Sequence, residues 1–123
     1  MPGRRILIVD DDPGFRALAV AVLTGWGHSV TGEASGAEQA LALAAATQPE
    51  VVIVDVGLPD GDGFALAEQL SAMTLPPDVI VVSTDCSAAH VEAAHRAGAL
   101  GFVAKENLSE DTLRHLLASP GRR

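Results

Sequence analysis

Val51-Val52-Ile53-Val54-Asp55 runs into Val56-Gly57-Leu58-Pro59-Asp60-Gly61-Asp62-Gly63. Four β-branched residues lead to one carboxylate, and the chain then enters a segment rich in turn formers. An apolar run this short, bounded this way, reads as a strand buried on both faces. Asp55 then stands at the strand's C-terminal end, where the chain leaves the core. In open parallel α/β sheets that edge is where ligands collect. Whether Asp55 is a turn residue or a reactive group depends on what other segments bring to the same edge.

Working outward, three more runs have this form. Ile6-Leu7-Ile8-Val9 ends in Asp10-Asp11-Asp12, Val79-Ile80-Val81-Val82 in Ser83-Thr84-Asp85, and Gly101-Phe102-Val103-Ala104 in Lys105. A weaker strand lies in 28–31 around Val30. Helical spacing fills the intervals. Phe15, Leu18, Ala19, Val22 and Leu23 follow Pro13 with Asp12 as N-cap, and Gly25 and Gly27 close the helix. Ser35-Gly36-Ala37-Glu38 fits a capping box ahead of an inner stripe of Ala40, Leu41, Ala44 and Ala45, ended by Pro49. Asp62 is placed to cap a helix over 64–70, and Pro76-Pro77 breaks the chain. Ser87 is placed to cap a helix carrying Val91, Ala94 and Ala97 that stops at Gly98. Ser109 caps the last, with Glu110 and Asp111 in its first turn, Arg114 and His115 nearer its end, and Leu113, Leu116 and Leu117 inward. Strand then helix, five times without a linker, predicts a parallel sheet covered by helices on both faces. The expected organisation is one domain over 1–119 and a tail over 120–123.

Composition narrows the function. The 123 residues suffice for one core, and 48% are hydrophobic, so disorder is excluded. Aromatics are scarce, with Trp26, three Phe and no Tyr, so stacking platforms for single strands are lacking. The net charge of -8, from 16 acids against 8 bases, argues against direct nucleic acid binding and is compatible with a divalent cation. One cysteine, Cys86, excludes an intrachain disulfide and a thiolate zinc cluster. Nothing marks it as reactive. No signal-peptide pattern or membrane-length apolar run is present, so no membrane association and a cytoplasmic location are expected. Asp60-Gly61-Asp62-Gly63 fails as a calcium loop, because Phe64 and Ser71 stand where ligands are needed. No P-loop pattern occurs, His28, His90, His95 and His115 lack metal-ligand spacing, and Trp26 reads as packing.

Each strand-end residue taken singly has an ordinary explanation as a cap, turn or surface charge. Together they do not, because parallel strands place all their C-termini on one edge. Two like charges about 4 Å apart repel by about 4 kcal/mol at an effective dielectric near 20. Converging carboxylates therefore call for a hard cation, and Mg2+ takes oxygen ligands. An aspartate beside such a cation can attack a phosphoryl group, with a lysine ammonium neutralising the transferring oxygens.

The chain resembles a bacterial two-component response-regulator receiver domain, of the single-domain, chemotaxis-regulator-like kind. Ile8-Val9-Asp10-Asp11-Asp12 is similar to the family's first-strand acidic motif, and Asp55-Val56-Gly57-Leu58-Pro59 with Asp62-Gly63 to its phosphoacceptor motif. Val81-Val82-Ser83-Thr84 resembles the fourth-strand motif, and 97–105 the segment that ends in the family's lysine. The resemblance implies a flavodoxin-like three-layer (βα)5 fold with strand order 2-1-3-4-5, an order known for receivers. It implies that Asp55 is the phosphoacceptor and that Asp10, Asp11, Asp55 and the Gly57 carbonyl hold Mg2+, with Asp11 a direct ligand. Ser83 is then the switch hydroxyl, Phe102 the switch aromatic and Lys105 the phosphoryl-binding lysine.

The function so implied is a phosphorylation-activated switch. A histidine kinase is the donor, and a downstream protein partner reads the face of the fourth helix, fifth strand and fifth helix. The chain is then no enzyme beyond its own phosphorylation and dephosphorylation. The alternative is a pseudo-receiver, a constitutive interaction domain with a degenerate site. A phosphatase is disfavoured, because Gly57 stands where a second acid would be needed. Two departures from the family pattern bear on the site. Glu106 follows Lys105 where proline is usual, which predicts a trans bond there, or else a strained cis one, and puts the reach of Lys105 in question. Thr84, Gly57 and Asp85 change the mouth: Thr84 narrows it, Gly57 leaves Asp55 unshielded, and Asp85 adds a charge expected to tune the phosphoryl lifetime.

Overall fold

The structure is a computed structural model and describes residues 3–85 and 87–118. Cys86, the domain boundary at 119 and the expected tail lie outside the described residues. Strands β1 (Arg5–Val9), β2 (Ser29–Ala34), β3 (Val51–Asp55), β4 (Asp78–Ser83) and β5 (Gly101–Ala104) form one parallel sheet in the order β2-β1-β3-β4-β5. Helices α1 (Pro13–Gly25), α2 (Ala37–Thr47), α3 (Gly63–Ser71), α4 (Ala88–Arg96) and α5 (Glu110–Leu117) alternate with them. This is the flavodoxin-like (βα)5 fold with the expected 2-1-3-4-5 order.

Because successive strand side chains point to opposite faces, each continuous apolar run supplies two cores. Leu7, Val9, Val52, Val54, Val79 and Val81 pack on one face with Ala40 and Ala44 of α2, Leu66 and Leu70 of α3, and Ala94 of α4. Ile6, Ile8, Val51, Ile53, Ile80 and Val82 pack on the other with Ala19 and Leu23 of α1 and Leu113 of α5. Each such aliphatic side chain removed from water contributes about 1.5–3 kcal/mol. Trp26 packs against the second core, as expected.

Four N-caps stand where the sequence placed them. Asp12 accepts from the Gly14 amide (2.9 Å), Asp62 from Ala65 (2.8 Å), Ser87 from His90 (3.2 Å) and Ser109 from Thr112 (3.1 Å). The capping box at Ser35 is not formed. The N-cap of α2 is Gly36, without a side-chain cap bond of its own. The carboxylate of Asp60 instead arrives from the turn after β3 and accepts from the amides of Ala37 (2.7 Å) and Glu38 (3.1 Å). Two charge-assisted bonds from one carboxylate displace the weaker hydroxyl cap. β2 also runs to Ala34 rather than stopping near Thr31. Gly32, Glu33 and Ala34 have weak strand propensity, and they pair because β1 offers them an open edge. Leu18, Ala45 and Val91 face solvent rather than the core, since the inward arc of each helix is narrower than the apolar pattern suggests. A two-residue antiparallel ladder, Gly57–Leu58 with Gly61–Asp62, organises what the sequence showed only as a turn. Among the described residues no helix is long and apolar enough to cross a membrane.

Candidate functional site

The C-terminal ends of β1, β3 and β5 converge. Asp10 is wholly buried as β1 ends. Its Oδ1 accepts from the Asp12 amide (2.9 Å), and its carbonyl accepts from Nη1 of Arg16 (2.6 Å). Its Oδ2 is enclosed and meets the Lys105 ammonium at 2.7 Å. The same ammonium lies 3.4 Å from Oδ1 of Asp55 and 4.5 Å above the ring of Phe15. One cation thus bridges two strand-end acids while resting on an aromatic face, a placement worth about 0.5–2 kcal/mol from the ring alone.

The bond between Lys105 and Glu106 is trans, as expected, and Lys105 opens a 3-10 turn over Lys105–Asn107. The missing proline therefore does not keep the side chain from the acids. Asp11, exposed beside Asp10, brings a third carboxylate, and one oxygen from each of Asp10, Asp11 and Asp55 lies within 4.8 Å of the others. The Gly57 amide lies near enough to the Asp55 carboxylate to favour its charged form. A Cβ at Gly57 would stand 3.8 Å from Asp55 Oδ2, so no side chain covers that oxygen from this side.

Charge follows from this placement. Burial, then the neighbouring Asp10, pushes the Asp55 carboxyl above its ordinary value of 3.8, and Lys105 and the Gly57 amide oppose the rise. Burial by itself would lower the pKa of Lys105, but the hydrogen bond to Asp10 and the charges of Asp55 and Asp10 outweigh it and hold the ammonium above its usual 10.5. The site is thus a partly neutralised anionic cleft: three acids against one lysine.

Ser83 is buried at the end of β4, and its hydroxyl accepts the Asp85 amide at 3.0 Å. Local bonding, the ordinary explanation for such a serine, is therefore present. Phe102 is half-buried on β5 with its ring 6.0 Å from that of His90. Thr84 and Asp85 are exposed. Sequence reasoning passed over Arg16, which clamps the end of β1 and pairs with Glu33 at 3.3 Å, and gave Phe15 only a packing role. The signal for both was their position in the first turn after an acidic strand end. It also missed Asp60, which ties the turn after Asp55 to α2.

The donor set fits a hard divalent cation. Oxygen ligands around Mg2+ at about 2.1 Å lie roughly 3–4 Å apart, close to the spacing of these three carboxylates. One lysine against three carboxylates leaves negative charge that such an ion would offset.

Comparison with known proteins agrees with this geometry. The model of the response regulator receiver domain matches residues 6–118. A protein-glutamate methylesterase/protein-glutamine glutaminase of Anaeromyxobacter dehalogenans is 40% identical over 82% of this chain and 29% of its own length. The transcriptional regulatory protein PdtaR of Mycobacterium tuberculosis is 31% identical over 83% of this chain and 49% of its own. The chain spans about half or less of the length of these curated relatives. Among solved structures, the signal receiver domain of NarL from Mycobacterium tuberculosis superposes with a TM-score of 0.85 at 29% identity, covering 100% of both chains. A two-component response regulator of the LuxR family from Aurantimonas gives 0.85 at 25% identity over 94% of this chain and 86% of its own. The shared fold, the acidic strand ends and the family match lead to one conclusion: the chain belongs to the response regulator receiver domain family.

Proposed function

We propose that this receiver is a phosphorylation-activated switch that takes a phosphoryl group on Asp55 from the phosphohistidine of a histidine kinase. The observation that carries the reading is the Lys105 ammonium bridging Asp10 and Asp55 in a cleft that a third acid completes. An Asp55 oxygen attacks phosphorus as the phosphorus–nitrogen bond of the donor breaks, and the departing imidazole takes up a proton. Lys105 neutralises charge on the transferring oxygens and holds the product. Asp10, Asp11, Asp55 and the Gly57 carbonyl are the groups to hold Mg2+, which when bound supplies the positive charge that an anionic donor meets at this acidic mouth. Ser83 then bonds the phosphoryl oxygen, Phe102 turns inward, and the face of α4, β5 and α5 changes its affinity for a downstream protein. Asp85 sets the phosphoryl lifetime from the exposed turn.

The setting of this reading is cytoplasmic, with the receiver over 1–119 and the tail over 120–123, and with no direct contact to nucleic acid or membrane. The domain acts on no substrate but itself. A degenerate, constitutive interaction domain has less support, because Asp10, Asp11, Asp55, Ser83 and Lys105 are all present. Incubating the chain with acetyl phosphate tests the reading by mass spectrometry. A Mg2+-dependent gain of one phosphoryl group, absent in Asp55→Asn, is expected. No gain in the unsubstituted chain, or a gain in Asp55→Asn, overturns the assignment.

A further inference from the structure

One half-buried histidine has no part in the site described so far. His90 stands in the first turn of α4. Its ring centroid lies 5.6 Å from that of Phe64 on α3 and 6.0 Å from that of Phe102 on β5, tilted by 49° and 58°. These separations and tilts fall in the attractive range for ring pairs. Its Nδ1 lies 3.2 Å from the backbone carbonyl oxygen of Asp85. A carbonyl oxygen only accepts, so Nδ1 carries the proton of that bond. Asp85 in turn donates its amide to the hydroxyl of Ser83 at 3.0 Å. An unbroken series of contacts therefore runs from the Ser83 hydroxyl through Asp85 and the imidazole to the Phe102 ring.

The ordinary explanation of such a histidine is filling: a flat ring closes the seam between α3, α4 and β5. Filling needs the ring alone. It does not need a ring nitrogen bonded back into the turn that carries Ser83. A phenylalanine would fill the seam without leaving a polar atom there to satisfy.

We infer that His90 is a positioning residue that couples Ser83 to Phe102. The inference rests on the reading of those two residues as the ones that rearrange. If the Ser83 hydroxyl turns toward a phosphoryl group on Asp55, the Asp85 amide bonded to it must follow or lose its partner. A displacement of Asp85 carries its carbonyl along and draws on the imidazole through Nδ1. The imidazole lies against Phe102, so its shift alters the space open to that ring. The coupling is mechanical and local: two hydrogen bonds and one ring contact.

The test uses the three phenylalanines of the chain. Selective carbon-13 labelling of Phe gives three sets of ring signals, four in His90→Phe, and those of Phe102 are assigned in each background by their loss on adding Phe102→Leu. In the chain without phosphoryl donor, Ser83→Ala is expected to displace the Phe102 signals. In a His90→Phe background that displacement is lost, because the substituted ring still packs but cannot bond Asp85. His90→Ala gives the same loss and also moves the resting Phe102 signals, which His90→Phe leaves nearly in place. Persistence of the Ser83→Ala displacement in His90→Phe overturns the coupling, as does its absence in the unsubstituted chain. The phosphoryl mass gain, measured separately on the same proteins, fails or succeeds independently, so a failed phosphoacceptor reading is distinguishable from a failed coupling.

Discussion

The turn that follows β3 and the turn that follows β4 leave the same edge of the sheet side by side, and they are held in different ways. The first is anchored at both ends. Asp60 bonds two amides of α2, Asp62 caps α3, and the ladder of Gly57–Leu58 with Gly61–Asp62 stiffens the middle. Gly63 seals it, because a Cβ there would overlap the Asp55 carbonyl oxygen and stand 2.9 Å from the Val56 Cα. The second turn has exposed Thr84 and Asp85 and is secured by single bonds at Ser83, Ser87 and His90. An acceptor must be held still for in-line attack, whereas a hydroxyl that responds to the product has to move. With Asp55 as the proposed acceptor and Ser83 as the proposed responding hydroxyl, the two turns would divide these tasks.

The largest expected break in the comparison is Gly63→Ala. Its methyl group meets backbone that cannot give, so the loss of stability falls near the top of the overpacking range, about 3 kcal/mol. Urea unfolding measures it. In the second turn, Ser87→Ala removes one cap bond and costs about 1 kcal/mol by the same measurement. If Ser87→Ala proves as costly as Gly63→Ala, the second turn is no softer than the first.

Asp60→Ala sharpens the comparison locally. The expected result is faster hydrogen exchange at the Ala37 and Glu38 amides with exchange in the β3 core unchanged. Gly36→Ala reproduces it, since its Cβ would stand 2.8 Å from Asp60 Oδ1. The two substitutions combined add little beyond either alone, because both break the same contact.

The smallest effect is a pH dependence. Asp55 binds its proton more tightly folded than unfolded, so stability falls as pH rises from about 3.8 to its raised folded value, and the loss is complete above that value. Asp55→Asn removes this slope. Urea midpoints across acid pH in the presence of a chelator measure the difference. Equal slopes in the two proteins would show that Asp55 does not feel Asp10 and burial as described.

Much of this was legible in the sequence, for a definite reason. Val51 to Val54 and its three counterparts are continuous apolar runs, and such runs leave few options but strands buried on both faces. The acids and lysine that end β1, β3 and β5 converge because parallel strands share one direction, and Ser83 ends β4 at the same edge. Contacts set by distance in space rather than spacing in sequence were not legible. Ser35 looked like a cap because the motif is local, while Asp60, more than twenty residues on, is the group that reaches the amides. His90 drew notice only for lacking metal-ligand spacing, since nothing in the sequence shows that Phe64 and Phe102 flank it. β2 was underestimated because an edge strand depends on its neighbour's hydrogen bonds more than on its own residues.

The borrowed cap on α2 also bears on the order in which the molecule assembles. A helix capped from within its own sequence can close its first turn as soon as that segment is made. α2 lacks that local support, because its capping carboxylate belongs to the turn after β3 and reaches the amides only with β3 docked beside β1. The first turn of α2 is therefore expected to gain its cap late, after the central strands have paired. On partial opening it is expected to be released together with the Asp55 turn, as one cooperative unit.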